Sequence, residues 1–136
     1  MTQAFYALAL YTGILGLMWM WLGNNVGRKR MREKVSIGDG GNLHIIRAMR
    51  GHANFVETTP MALIILMVAA VIGTPVFVIH IGGIILVVGR FLHGYHFVQD
   101  DAPGWQRMYG MIMTVLVIVL GSLGLVGHSL MQLFNT

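Results

Sequence analysis

The sequence predicts an all-α integral membrane protein, a four-helix bundle of spanning helices, and three observations carry that prediction. Apolar residues make up 56% of the 136 residues and charged residues only 10%, where a soluble domain carries about 25% charged residues. Mean hydropathy is +0.72. Four apolar runs follow one another with polar connections between them, each near the roughly 20 residues needed to cross about 30 Å of hydrocarbon. The expected unit is one domain over residues 1–136, with spans at about 4–23, 44–72, 76–98 and 105–130.

The first span opens on Met1-Thr-Gln, without a positive n-region, and closes on Trp19 and Trp21 instead of small residues. A retained span is therefore expected in place of a cleaved leader, with the indole rings at the headgroup level. Ala4, Ala7, Gly13 and Gly16 are candidates for close helix contact. Residues 24–44 read as the longest polar connection, a loop. It holds Arg28, Lys29, Arg30, Arg32 and Lys34 against Glu33 alone. Next to a membrane span such a cluster is a topology signal and not a nucleic-acid patch. It places this loop in the cytoplasm, with an even number of spans and both termini periplasmic.

The second span carries the chemistry. Arg47, Arg50, Asn54 and Glu57 are spaced 3, 4 and 3, so at roughly 100° per residue they share an arc about 80° wide. Pro60 follows and is expected to perturb the helix just after Glu57. The third span is apolar except for His80, Arg90, His93 and His96, with Tyr95 among them; Gly82, Gly83 and Gly89 offer close approach. The turn around Pro103 leads to the fourth span, which opens with Gln106, Arg107 and Tyr109.

Depth brings these groups together. Arg47 and Arg50 lie near the cytoplasmic surface and Glu57 about 15 Å further in. His93 is about 7 Å and Arg90 about 12 Å from the cytoplasmic end of the third helix. Intramembrane ionisable groups are costly, face a bundle interior or wet cavity, and pair with one another. Arg90 is the expected partner of Glu57. Arg47, Arg50, Arg90 and Arg107 still outnumber that one acid, and the excess points to an anionic ligand entering from the cytoplasm; guanidinium groups grip carboxylates in bidentate fashion. His52 and Asn54 add polar contacts. The chain has no cysteine, which excludes disulfides, thiolate metal sites and a cysteine nucleophile but not a thiol substrate. His93 and His96 lack a carboxylate or thiolate to complete a metal site, and no metal is expected.

Three pieces of the chain resemble a known family, the membrane-associated proteins in eicosanoid and glutathione metabolism. They are Arg47-x-x-Arg50-x-x-x-Asn54-x-x-Glu57-x-x-Pro60, Gly89-Arg90-x-x-His93, and Arg107 at the entry to the last helix. The family includes microsomal glutathione transferases and the leukotriene and prostaglandin synthases of the same membrane. The resemblance implies a homotrimer that binds glutathione as co-substrate between neighbouring subunits. By position it implies a contacting set of Arg50, Asn54, Glu57, Arg90 and His93, to which Arg47, His52, Phe97 and Tyr109 are added as candidates. Arg107 matches the arginine that stabilises the thiolate, with Gln106 and Tyr109 as close neighbours in register. One departure is Phe97, which stands where the eicosanoid-forming members have a tyrosine. The implied activity is conjugation of glutathione to hydrophobic electrophiles from the bilayer, or reduction of a lipid hydroperoxide, at the inner membrane. A non-catalytic lipid- or anion-binding protein of the same fold, or a purely structural membrane subunit, are the alternatives.

Overall fold

A computed structural model describes residues 2–135, which form four α-helices: α1 (Thr2–Arg32), α2 (Leu43–Val71), α3 (Val76–Val98) and α4 (Gly104–Phe134). Each is long and apolar enough to cross a membrane. The four make an all-α integral membrane bundle. Its outside is hydrocarbon, with Leu17, Phe77, Leu120 and Leu123 among the exposed side chains, the inverse of a soluble surface.

The helices alternate in direction. Tyr11 meets His80, Trp21 and Leu22 meet Gly94, and Lys29 meets Asp100, so α1 and α3 run parallel. α2 and α3 form the central pair; α1 packs on both, α4 packs on both, and α1 and α4 do not touch. Glycines set the closest approaches. A Cβ at Gly83 would fall on the Tyr11 ring, and one at Gly110 would lie 2.6 Å from both Gly89 O and His93 N. Gly13 and Gly16, by contrast, have nothing within 4 Å.

One expectation is corrected at the end of α1. Residues 24–32 are helical, and the connection shrinks to residues 33–42. The basic run consists of good helix formers, so the end of the apolar run is not the end of the helix. At 31 residues α1 is about 46 Å long, well over the hydrocarbon thickness. Lys34 ends it with φ 55°, and Gly38, Gly40 and Gly41 also take positive φ. The loop folds back on itself: Arg30 Nε donates to Gly38 O at 2.9 Å and Asn42 Nδ2 to Glu33 Oε2 at 3.1 Å. Asn42 then caps α2, accepting from the amides of His44 and Ile45.

Pro60 lies inside the helix, as the single span expected at 44–72 implies. α2 runs through it without interruption. In hydrocarbon, breaking the helix would expose neighbouring amides with no water to satisfy them, so a single missing N–H is the lesser cost.

The buried charged, amide and imidazole side chains Asn25, Lys29, Arg90, His93, His96 and Gln106 gather at one end of the bundle, the basic end. About 20 residues from Ala4 reach Gly23, and Gly23 lies against His52. Gly23, His52 and Gly94 thus share one level toward the basic end of the bundle. Beyond it, Asp100 accepts from Lys29 and lies 3.1 Å from His44 Nδ1, tying α1, α2 and the α3–α4 turn together. The Lys29 hydrogen bond holds the Asp100 carboxyl below its ordinary value of 3.8. A depressed carboxylate contributes stability at all pH above its unfolded value, and that contribution is lost as pH falls through the lowered folded value. Asp100→Asn is therefore expected to lower the thermal unfolding midpoint at pH 7. The difference from the parent should disappear once the pH drops below the folded value, as a midpoint-against-pH series would show.

Candidate functional site

At this level a cavity of about 280 Å³ opens between three helices. α2 contributes Arg50, Ala53, Asn54 and Glu57, α3 contributes His93 and Phe97, and α4 contributes Arg107. The 3, 4, 3 spacing on α2 explains why Arg50, Asn54 and Glu57 share one wall. His93 and Phe97, four apart on α3, form the second wall with ring centroids 5.1 Å apart. Arg107 enters because the Gly89–Gly110 contact lets α4 lie directly on α3. A Cβ at Gly51 would fall on Phe97, so this glycine allows α2 and α3 to close around the cavity.

Arg90 stands behind this wall, fully buried. Its expected partner, Glu57, is not its partner. Arg90 Nη1 donates to Asn54 Oδ1 and to Thr58 Oγ1, both at 2.9 Å, and Nη2 lies 3.9 Å from Met111 Sδ. Thr58 Oγ1 in turn donates to Asn54 O at 2.8 Å. The physical reason is the helix face: Asn54 and Thr58, four apart, both turn toward α3, while Glu57 is exposed at the mouth. A guanidinium only donates, so Asn54 must present its oxygen to Arg90 and keeps its NH₂ for the cavity. Arg90 thereby sets the direction of a donor that lines the site.

Replacing Arg90 by methionine tests this. A buried cation held only by neutral groups adds little to stability, so the unfolding midpoint is expected to hold or rise. Affinity for an anionic ligand should fall about tenfold as the Asn54 amide loses its orientation. Thermal unfolding and equilibrium binding on the same preparation check both halves.

Six of the ten residues singled out from sequence line the cavity: Arg50, Asn54, Glu57, His93, Phe97 and Arg107. Arg90 supports it from behind. Arg47 reaches the end of α3, where Nε donates to Gln99 O at 3.0 Å and Nη2 to His96 O at 2.7 Å. His52 turns to α1, with its ring 5.9 Å from Trp19 and its Nε2 buried without a hydrogen-bond partner. Tyr109 is exposed, beside Trp105 at 6.5 Å, and Gln106 is buried away from the cavity lining. Thr58 and His96 were missed. Thr58 was findable from its position four residues after Asn54; His96 gives no signal beyond being polar.

A larger cavity, about 460 Å³, lies at the opposite end between α2, α3 and α4. Its lining is apolar or glycine apart from Thr74 and His128, and it holds no arginine, lysine or carboxylate. Among the described residues no three His, Cys, Asp or Glu side chains cluster as metal ligands.

The sequence pattern of the MAPEG family matches residues 8–127, a stretch that takes in part of α1 and of α4, all of α2 and α3, and every lining residue. The chain belongs to the MAPEG family. These are membrane-associated proteins of eicosanoid and glutathione metabolism. The chain is also 36% identical over 118 residues to the inner membrane protein YecN of Escherichia coli strain K12, covering 85% of this chain and 88% of that protein. YecN of Escherichia coli O6:H1 strain CFT073 matches to the same extent. In this MAPEG chain the cavity's charge comes from two arginines on different helices, opposed by one carboxylate.

Proposed function

We propose that the protein is a membrane-bound glutathione transferase that conjugates glutathione to small hydrophobic electrophiles, with reduction of lipid hydroperoxides as a second use of the same thiolate. The observation that carries this reading is the joining of Arg50, Asn54, Glu57, His93 and Arg107 around one cavity at the basic end of the bundle. Glutathione carries two carboxylates, an ammonium and a thiol. Arg50 and the Asn54 amide suit a carboxylate, and Glu57, the only acid in the lining, suits the ammonium. Arg107 favours the ionised thiol, since an adjacent cation stabilises a thiolate. The thiolate attacks the electrophile's carbon and the leaving group departs with the bonding pair. A site at this depth receives glutathione from water and the electrophile from lipid.

At about 280 Å³ the cavity is at the lower limit for small-molecule sites, and Arg50, Glu57 and Arg107 all remain exposed at its rim. We take the working unit to be a homotrimer in which a neighbouring copy closes this rim. The basic run at the end of α1 supports an orientation with the basic end in the cytoplasm and both termini periplasmic.

The second reading is a binding protein without turnover. It is favoured by Phe97, whose ring lines the cavity but has no hydroxyl to offer a thiol. The test is conjugation of glutathione to an activated aryl halide by the purified protein in detergent, beside equilibrium binding of glutathione. A transferase shows both. Binding without product selects the second reading, and failure to bind glutathione removes the transferase.

A further inference from the structure

Arg47 and His96 do not line the cavity, yet they make a connected network at the basic end. Arg47 Nη2 donates to His96 O at 2.7 Å and lies 2.9 Å from His96 Nε2; Arg47 Nε donates to Gln99 O at 3.0 Å. His96 Nδ1 lies 3.2 Å from Pro103 O. The guanidinium also sits 5.5 Å from the centroid of the Phe97 ring. His96 is buried. One arginine on α2 therefore takes the carbonyls that the end of α3 leaves open. Through the His96 ring it also reaches the residue that precedes α4.

The partners fix the ring's protonation. Arg47 only donates, so Nε2 must carry a lone pair; Pro103 O only accepts, so Nδ1 must carry the proton. His96 is thus neutral, protonated on Nδ1. The groups facing it are Arg47 from α2, His93 from its own helix and Arg107 from α4, with no carboxylate among them. A second ring proton would set an N–H against the guanidinium and break the relay. Phe97 follows His96 directly, and Arg107 is one helical turn beyond Pro103.

We infer that Arg47 and His96 form a joint that fixes the α3–α4 turn, and through it the positions of Phe97 and Arg107 in the cavity wall. Arg47 is on this account a positioning residue and not a ligand contact. The joint itself is independent of the ligand; only its effect on a bound thiol rests on the glutathione reading.

The test has two arms. In the first, ¹⁵N-histidine spectra of the unliganded parent protein should show a ring protonated on Nδ1 and bare on Nε2 for the signal that His96→Phe removes. Amide exchange over residues 99–107 should speed by about tenfold in both Arg47→Lys and His96→Phe, as loss of one or two hydrogen bonds implies. Lysine keeps the charge but cannot span two carbonyls and a ring nitrogen. An Nε2-protonated or doubly protonated ring in the parent, or exchange unchanged in Arg47→Lys, overturns the joint. No variant need fold for the ring assignment to count, because His96 is also identifiable by through-bond correlation in the parent.

In the second arm, Arg47→Lys should keep affinity for S-methylglutathione within about threefold, since no direct contact is lost. It should also shift the pH at which bound glutathione ionises upward, because Arg107 is less well seated. Loss of S-methylglutathione affinity as large as that of glutathione would make Arg47 a ligand contact and overturn the positioning role. If the parent binds no glutathione, the functional reading fails alone and the first arm still decides the joint.

Discussion

Arg107→Ala is expected to reduce the rate of glutathione conjugation by about 100-fold or more, the usual cost of removing a group that stabilises developing or standing negative charge in a water-poor site. Arg107 lines the cavity from α4, across from the α2 wall, and makes no ion pair within the chain among the described residues. Its charge is therefore free for a ligand. On the proposed reading the α2 residues carry ground-state binding, so affinity for S-methylglutathione should fall far less than the rate. Arg107→Lys should recover part of the loss, since a point charge still favours the thiolate although the planar fork is gone. Single-turnover conjugation and equilibrium binding measured side by side separate these effects. A variant that loses binding and rate in equal proportion would move Arg107 from thiolate stabilisation to carboxylate binding.

Gly110→Ala is the second large effect, and it acts through packing. The new methyl would stand 2.6 Å from two backbone atoms, Gly89 O and His93 N, and 2.8 Å from His93 Cβ. Backbone atoms inside a helix cannot step aside as a flexible side chain can, so α4 must move away from α3. Overpacking of this kind costs about 1–3 kcal/mol. The displaced helix carries Arg107 less than one turn away from the altered contact, so activity should fall more than stability alone implies. Gly13→Ala provides the control, because nothing lies within 4 Å of the added carbon. Thermal unfolding in detergent should show a drop of several degrees for Gly110→Ala and none for Gly13→Ala. Equal behaviour of the two would show that α3 and α4 are not in backbone contact.

Much of the site was legible because helices and hydrocarbon impose few choices. Once Arg47, Arg50, Asn54 and Glu57 fall on one face, their depth follows from 1.5 Å per residue, and the same arithmetic brings His93 and Arg107 to that level. Sequence reasoning failed where pairing depends on azimuth between helices. Opposite charge suggested Glu57 for Arg90, but the face of α2 turned to α3 carries Asn54 and Thr58, and Arg90 takes both. The length of α1 was hidden for a different reason. Arg28, Lys29, Arg30 and Arg32 end the apolar run but continue the helix, and hydropathy reports only the first of these facts. His96 was opaque because its role comes from Arg47 and Pro103 O, groups 49 and 7 residues away.

The central claim is that the basic end of this MAPEG bundle offers glutathione a cavity in which its thiol is held ionised. The most direct measurement is the ultraviolet difference absorbance of glutathione bound to the purified protein, followed against pH and ligand concentration. The account predicts a saturable thiolate signal already present at pH 7, well below the ordinary thiol range near pH 8.5, and its loss in Arg107→Ala. Glutathione that binds with its thiol titrating as in free solution, or no saturable binding at all, would contradict it.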